Sequence, residues 1–287
     1  MKIEISGKNA TLANCRACGG CGEMVALAYL LKTISEDTII AIGTGCSEVF
    51  STPYPVTAWK VPLIHVAFEN TAAVASGIEA ALKNLGKKTK VIALAGDGGT
   101  FDIGFQALSG AIERGNNICY ICLDNEAYMN TGVQRSGSTP YLASTTTSPA
   151  GKPQLKKPLP FIIAAHRNVY VATANIAYPD DLIKKIKKGI EFNGPSYIQI
   201  LTPCVPGWKY PMEKTIEVAR LAVETNYAPL YEIENGELKM STIFGKTPVK
   251  EFLKLQGRYN HLTDKDVEKI QKHINDEVKY LQFKGKL

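Results

Sequence analysis

Two apolar, β-rich runs that each end in a possible metal ligand constrain this chain more than any other feature. Val91-Ile-Ala-Leu-Ala95 leads into Gly96-Asp97-Gly98, and Ile118-Cys-Tyr-Ile-Cys-Leu123 leads into Asp124-Asn125. Between them, Phe101 to Arg114 carries a helical pattern of apolar residues. Two strands joined by a helical crossover run parallel, so both turns leave the same edge of the sheet. In open parallel sheets that carboxyl edge is where ligands bind. An isolated Gly-Asp-Gly is most often an ordinary turn; the second anchor is what gives it meaning.

The residue types suit one chemistry. Mg²⁺ takes hard oxygen ligands at about 2.0–2.1 Å, commonly one or two from protein with the rest from phosphates and water. Asp97 offers a carboxylate and Asn125 a side-chain carbonyl. Gly96, Gly98 and Gly99 let the backbone approach a diphosphate, and a helix starting near Thr100 points its N–H groups at the same anion. The pattern reads as the metal and diphosphate half of a thiamine diphosphate site.

The rest of the chain supports a doubly wound α/β fold with a largely parallel sheet. Helices are expected near Gly22–Ile34, Asn70–Leu85, Phe101–Arg114, Phe161–His166 and Asp180–Phe192. Strands are expected at Thr38–Ile42, Ile64–Ala67, Val91–Ala95, Ile118–Leu123, Val169–Thr173 and Tyr197–Leu201. Ala72, Ala73, Ala75, Gly77, Ala80 and Ala81 give the second helix small residues for close packing on the sheet. A long Thr-, Ser-, Gly- and Pro-rich stretch between Glu126 and Pro160 leaves directly from the proposed ligand, which favours a cofactor-covering loop. After Pro206-Gly-Trp208 the alternation stops. The expected division is therefore residues 1–207 as the cofactor domain and 208–287 as a C-terminal extension packed on that domain or on a partner.

At 287 residues and 45% hydrophobic content the chain can fill a substantial core. No uncharged apolar run of about 18 residues occurs, and Met1-Lys-Ile-Glu-Ile-Ser6 lacks the apolar centre of a secretion signal, so a cytoplasmic protein away from membranes is expected. The formal charge is +6, and residues 246–287 hold ten Lys/Arg against six Asp/Glu. Both signs are interspersed there, as in Asp264–His273, which suits a solvated helical face rather than a nucleic-acid surface.

Seven cysteines without a secretion signal point to thiols, metal ligands or redox groups. Cys15-Arg-Ala-Cys18-Gly-Gly-Cys21-Gly-Glu holds two overlapping Cys-x-x-Cys units. Cys46 follows the first strand and Cys204 the last, so both belong at the same edge as Asp97 and Asn125. Four converging thiolates hold zinc or an iron–sulfur cluster. A compact pair completed by two distant single cysteines fits either and weakly favours a cluster. A bacterial ferredoxin run would need a closing Cys-Pro, which is missing. Cys119 and Cys122 lie inside an apolar strand, where they point to opposite faces as core thiols.

Other motifs fall away. Gly43-Thr-Gly45-Cys-Ser-Glu48 starts like a dinucleotide fingerprint but lacks its third glycine. The four histidines show no metal-ligand spacing, and only His65, near the ligand edge, merits a test.

Taken together, Cys18-Gly-Gly-Cys21-Gly-Glu, Cys46, Gly96-Asp-Gly98 with Asp102-Ile-Gly104, Asp124-Asn125, Asn130-Thr-Gly132-Val-Gln-Arg-Ser-Gly-Ser-Thr-Pro140 and Cys204 resemble the β subunit of the pyruvate:ferredoxin oxidoreductases. The resemblance runs over nearly the whole chain. It implies that Cys18, Cys21, Cys46 and Cys204 hold a [4Fe–4S] cluster beside the thiamine, and it gives Cys15 no role. It also implies Asp97, Asn125 and the main-chain oxygen of Ala127 as Mg²⁺ ligands, and Asn130 beside the reacting carbon. Thr131, Gln134 and Arg135 share that loop and rank lower.

The implied reaction is oxidative decarboxylation of a 2-oxoacid on thiamine diphosphate, with electrons passing singly to the cluster and on to ferredoxin, and the acyl group to coenzyme A. The resemblance implies α, γ and δ partner subunits. Thiamine enzymes activate the cofactor with a glutamate at the aminopyrimidine, and the family pattern places it on the α chain. Neither Glu23 nor Glu69 can be assigned that role here, so the chain alone is expected to be inactive. The Asn130–Pro140 loop and Ser144–Gly151 look most like the pyruvate branch; branched-chain 2-oxoacids, 2-oxoglutarate and oxalate are the other candidates. The competing readings are a non-oxidative thiamine decarboxylase or synthase with structural zinc, and a subunit that keeps the fold without chemistry.

Overall fold

The computed structural model describes residues 15–285. The stretch Met1–Ser6, read above for a leader, lies outside the described residues. In chain order the elements are α1 Gly22–Leu30, β1 Thr38–Gly43, α2 Cys46–Ser51, β2 Leu63–Val66, α3 Thr71–Asn84, β3 Lys90–Gly96, α4 Phe105–Glu113, β4 Cys119–Asp124, α5 Leu159–Ala164, β5 Tyr170–Asn175, α6 Pro179–Glu191, β6 Ser196–Leu201, α7 Val205–Trp208, α8 Thr215–Glu224, β7 Tyr231–Glu234, β8 Glu237–Met240, α9 Val249–Leu253 and α10 Asp264–Lys284. The strands form one sheet in the order β2-β1-β3-β4-β6-β5-β7-β8. The first six are parallel, and β7 and β8 are antiparallel. The expected α/β class and the six expected strands are all present.

From β1 the chain goes to β2 on one side and then to β3 on the other. Such a reversal opens a crevice above the carboxyl ends of β1 and β3. Cys46 opens α2 just after β1, and Asp97 directly follows β3.

Alternation along the strands separates two apolar layers. On β4, Cys119, Ile121 and Leu123 face one layer with Leu27, Leu30, Leu182 and Ile186 of α1 and α6. Tyr120 and Cys122 face the other, with Ala72, Ala75, Leu108 and Leu159 of α3, α4 and α5. The two thiols are thus core residues on opposite faces, as their spacing predicts. A third cluster around Trp208, Val218, Phe252 and Ile270 packs the C-terminal elements together.

Three expectations need correction. Helix α1 stops at Leu30 rather than Ile34, because Thr33 turns its hydroxyl back onto the Leu30 carbonyl at 2.6 Å and the chain tightens into a turn. The helix expected over Phe101–Arg114 opens as a wide turn over Gly99–Ile103, with Gly104 N–H bonding Gly99 O at 2.8 Å, before α4 begins. Of the alanines and glycine on α3, Ala72 and Ala75 are buried, while Ala73, Gly77, Ala80 and Ala81 form an exposed stripe.

After Trp208 the chain returns to the sheet. Strands β7 and β8 form a hairpin about Asn235-Gly236, both at positive φ, which is the two-residue turn that matches strand twist. Helix α10 buries only Ile270, Ile274 and Leu281, and Leu281 enters the same layer as β3 and β4. No helix among the described residues is long and apolar enough to cross a membrane.

Candidate active site

Strands β3 and β4 pair so that Gly96 faces Leu123, which places Asp97 and Asp124 side by side just past the sheet. Both carboxylates are buried. Burial and each other's charge push the Asp97 carboxyl well above its usual range.

Their partners differ. Asp124 accepts from Ser138 Oγ at 2.6 Å, Lys156 Nζ at 2.6 Å, Gln199 Nε2 at 2.8 Å and Glu126 N–H at 3.2 Å. Among the described residues, Asp97 accepts only from Ser136 Oγ, at 2.5 Å on Oδ2, and its buried Oδ1 has no partner. A buried carboxylate oxygen without a donor is costly. A hard cation at Oδ1 removes that cost, so Asp97 fits the metal and Asp124 serves as a structural post.

The loop from Glu126 to Pro158 builds this arrangement. Ser136, Ser138 and Thr139 are fully buried, and Thr139 Oγ1 bonds Glu126 O at 2.7 Å. Lys152 holds the loop from behind, donating to the carbonyls of Gly137, Thr139 and Leu155 at 3.3, 2.6 and 3.3 Å. Burial first, with the charges of Arg135 and Lys156 adding to it, lowers the Lys152 ammonium to about 8. Gly98 is required by the same loop, since a Cβ there would stand 2.3 Å from the Tyr128 ring, whose hydroxyl bonds Gly98 O at 3.0 Å.

Asn125 is buried and held on three sides. Its main-chain oxygen accepts from Trp208 Nε1 at 2.8 Å, its Oδ1 from Ala127 N–H at 3.3 Å, and its Nδ2 donates to Glu23 Oε1 at 2.5 Å. Glu23 Oε2 is buried without a partner among the described residues. Burial raises the Glu23 carboxyl to about 7, although its bonds to Asn125 and to the Ser47 backbone work against that.

Glu23 also stands beside the thiols. Its charge reaches Cys21, Cys46 and Cys204, and Cys46 in turn feels Cys204, Cys21 and Cys18. Burial is the first cause in each case, raising Cys21 to about 12 and Cys204 to about 11. Three tethers make this convergence: Gly22 N–H bonds Pro203 O at 3.2 Å, Thr215 Oγ1 bonds Gly20 O at 2.7 Å, and Arg16 N–H bonds Phe50 O at 2.9 Å. A Cβ at Gly22 would lie 2.6 Å from Pro203 O, so glycine lets Cys21 approach Cys204. Burial also raises the Cys15 thiol.

Among the described residues, no group of three or more His, Cys, Asp or Glu side chains is close enough to hold a metal ion as a set.

Asn130, Thr131 and Arg135 are exposed on the loop beyond Ala127, which is buried. Thr131 and Gln134 bond each other, Oγ1 to Oε1 at 2.5 Å. His65, one residue before the end of β2, meets Thr44 Oγ1 at 2.7 Å and Glu48 at 3.5 Å, which flank Cys46 in the chain. Sequence patterns do not single out Ser136, Ser138 or Lys152.

Behind the anchor, Glu126 sits at φ 70 and is bound by Arg258 at 2.7 Å, Lys156 at 3.0 Å and Tyr227 at 2.9 Å. Burial alone would raise its carboxyl, but Lys156 and Arg258 outweigh it and hold it low. A cavity of about 410 Å³ lies beside this ion cluster, lined by Asp124, Lys156, Tyr227 and His273 but by neither Asp97 nor the thiols.

In sequence and in fold the chain is similar to known proteins. Residues 43–200 match the family model described as thiamine pyrophosphate enzyme, C-terminal TPP binding domain. The chain is 58% identical to pyruvate synthase subunit PorB of Methanocaldococcus jannaschii, over 93% of this chain and 94% of that one. It is 53% identical to the PorB subunit of Methanothermobacter thermautotrophicus, over 93% and 96%. It is 51% identical to ketoisovalerate oxidoreductase subunit VorB of Pyrococcus horikoshii, over 93% and 90%. The fold is similar to that of the 2-oxoglutarate:ferredoxin oxidoreductase from Magnetococcus marinus, with a TM-score of 0.62 and 23% identity over 76% of this chain and 81% of that one. The chain therefore belongs to the thiamine pyrophosphate enzyme family, within the group of the PorB and VorB oxidoreductase subunits.

Proposed function

We propose that this chain is the β subunit of a pyruvate:ferredoxin oxidoreductase that works in the cytoplasm with α, γ and δ type partners and passes electrons to ferredoxin. The observation that carries the reading is the orphaned oxygen of Asp97 at the carboxyl end of β3, one strand from Asn125 and on the same sheet edge as Cys46, after β1, and Cys204, after β6.

Asp97, Asn125 and the Ala127 main-chain oxygen hold Mg²⁺, and the backbone over Gly96, Gly98 and Gly99 cradles the diphosphate. Cys18, Cys21, Cys46 and Cys204 hold a [4Fe–4S] cluster. When bound, thiamine diphosphate supplies the electron sink for decarboxylating a 2-oxoacid, and the cluster removes electrons one at a time. The chain's own part is placement. Ser136 aims Asp97, and the Lys152-braced loop covers the anchor. Asn130, exposed on that loop, donates an amide N–H to the 2-oxo group of the substrate. Thr131, Gln134 and Arg135 line the approach, and coenzyme A accepts the acyl group.

The VorB relatives, at 50–51% identity, support a second substrate class, the branched-chain 2-oxoacids. The test is the co-purified complex assayed with a dye acceptor against pyruvate, 3-methyl-2-oxobutanoate, 2-oxoglutarate and oxalate. Pyruvate is expected to give the highest kcat/KM, and the isolated chain is expected to turn over none. A complex that oxidises no 2-oxoacid, or an isolated cluster-loaded chain that oxidises pyruvate, overturns the proposal.

A further inference from the structure

The side chain of Asn125 can be turned over, exchanging its NH₂ and C=O with little change in shape, and only its partners decide which way it sits. Here two partners agree. Ala127 N–H donates to Oδ1, and Nδ2 donates to Glu23 Oε1 at 2.5 Å. Turning the amide over would set its NH₂ against an N–H and its carbonyl against a carboxylate. A hard cation needs the oxygen.

We propose that Glu23 is a positioning residue that locks the Asn125 carboxamide with its oxygen available to the diphosphate-bound metal. The role rests on Asn125 being a magnesium ligand, as proposed above. Glu23 suits it because its Oε1 accepts the Asn125 Nδ2 hydrogen at 2.5 Å, it is 4% exposed, and α1 holds it next to the Cys21 turn. A glutamine at 23 would offer a donor as well as an acceptor and would permit either sense of the amide. An aspartate at 125 has no sense to lose, and a glutamine at 23 can donate to it.

The test is thiamine diphosphate affinity of the assembled complex at fixed Mg²⁺, followed by fluorescence of Trp208, whose indole bonds Asn125 O. Four forms are compared: wild type, E23Q, N125D and E23Q/N125D. E23Q is expected to weaken binding about tenfold, because a neutral amide holds Nδ2 less firmly than a carboxylate and can turn over with it. N125D is expected to weaken it at least as much, because it sets two buried carboxylates together. The double variant should return to within about threefold of wild type, a coupling that independent structural roles cannot produce. Losses that multiply in the double variant overturn the proposal. If E23Q does not assemble, Glu23→Asp is compared with Glu23→Leu: affinity kept by the first and lost by the second supports the lock, and equal loss overturns it. A wild-type complex that binds no thiamine diphosphate would refute the proposed cofactor site instead.

Discussion

Ser136 donates its hydroxyl hydrogen to Asp97 Oδ2 at 2.5 Å, while Asp97 Oδ1, also buried, meets no donor among the described residues. One oxygen is fixed by the loop, and the other is left for a ligand. Ser136→Ala should therefore weaken Mg²⁺-dependent thiamine diphosphate binding by roughly tenfold, since a hydrogen bond to a buried charged group contributes about 1.5–3 kcal/mol. Isothermal titration of the assembled complex checks this, and unchanged affinity would remove the loop from the site.

Asp97→Asn separates binding from folding. It removes one of two neighbouring buried carboxylates, so the unliganded protein should melt at the same temperature or higher. Thiamine diphosphate binding should fall by at least about a hundredfold, because the charged metal ligand is gone. A melting scan and a binding isotherm on one preparation suffice; a large drop in Tm with affinity preserved would reverse the assignment.

Arg258 stacks on Trp208 with its guanidinium 3.9 Å from the ring centroid and pairs with buried Glu126 at 2.7 Å. Arg258→Met leaves Glu126 dependent on Lys156 and Tyr227, and it should cost about 3 kcal/mol, as expected for breaking a buried pair. Urea unfolding measures it directly, and a change under about 1 kcal/mol would show that the pair contributes little.

Lys152 gives a pH signature. Its ammonium is lowered to about 8 from an ordinary 10.5, so between these values the folded chain binds fewer protons than the unfolded chain. Stability from this group rises with pH across that window. Against Lys152→Met, which does not titrate, wild type should gain stability from pH 8 to pH 10. A flat difference in Tm would mean that the amine is not desolvated.

The parallel sheet was legible because each of its six strands is a continuous β-rich run, and strands such as Ile118–Leu123 could not be confused with a helix of that length. The hairpin was not, although Tyr-Glu-Ile-Glu and Glu-Leu-Lys-Met alternate on either side of Asn235-Gly236; each run is only four residues and half charged. The wide turn at Gly99–Ile103 keeps helical periodicity and so looks like the start of α4. In the site, Asp97 and Asn125 were readable as the right residue types at strand ends. Ser136 was not, because its bond to Asp97 spans 39 positions and depends on the loop folding back. Glu23 stood out beside the cysteines, but its partner Asn125 lies 102 positions away, a contact that only the packing of α1 against the end of β6 creates.

The thiols carry the distinction between an oxidoreductase and other thiamine enzymes. The most direct measurement is iron and acid-labile sulfide in the anaerobically purified complex, with electron paramagnetic resonance of the reduced protein, for wild type and for Cys18→Ser, Cys21→Ser, Cys46→Ser and Cys204→Ser. Each substitution should remove about four iron and about four sulfide per chain, the content of one such cluster, while Cys15→Ser should remove none. Zinc in their place, or a cluster that survives all four substitutions, would contradict the account.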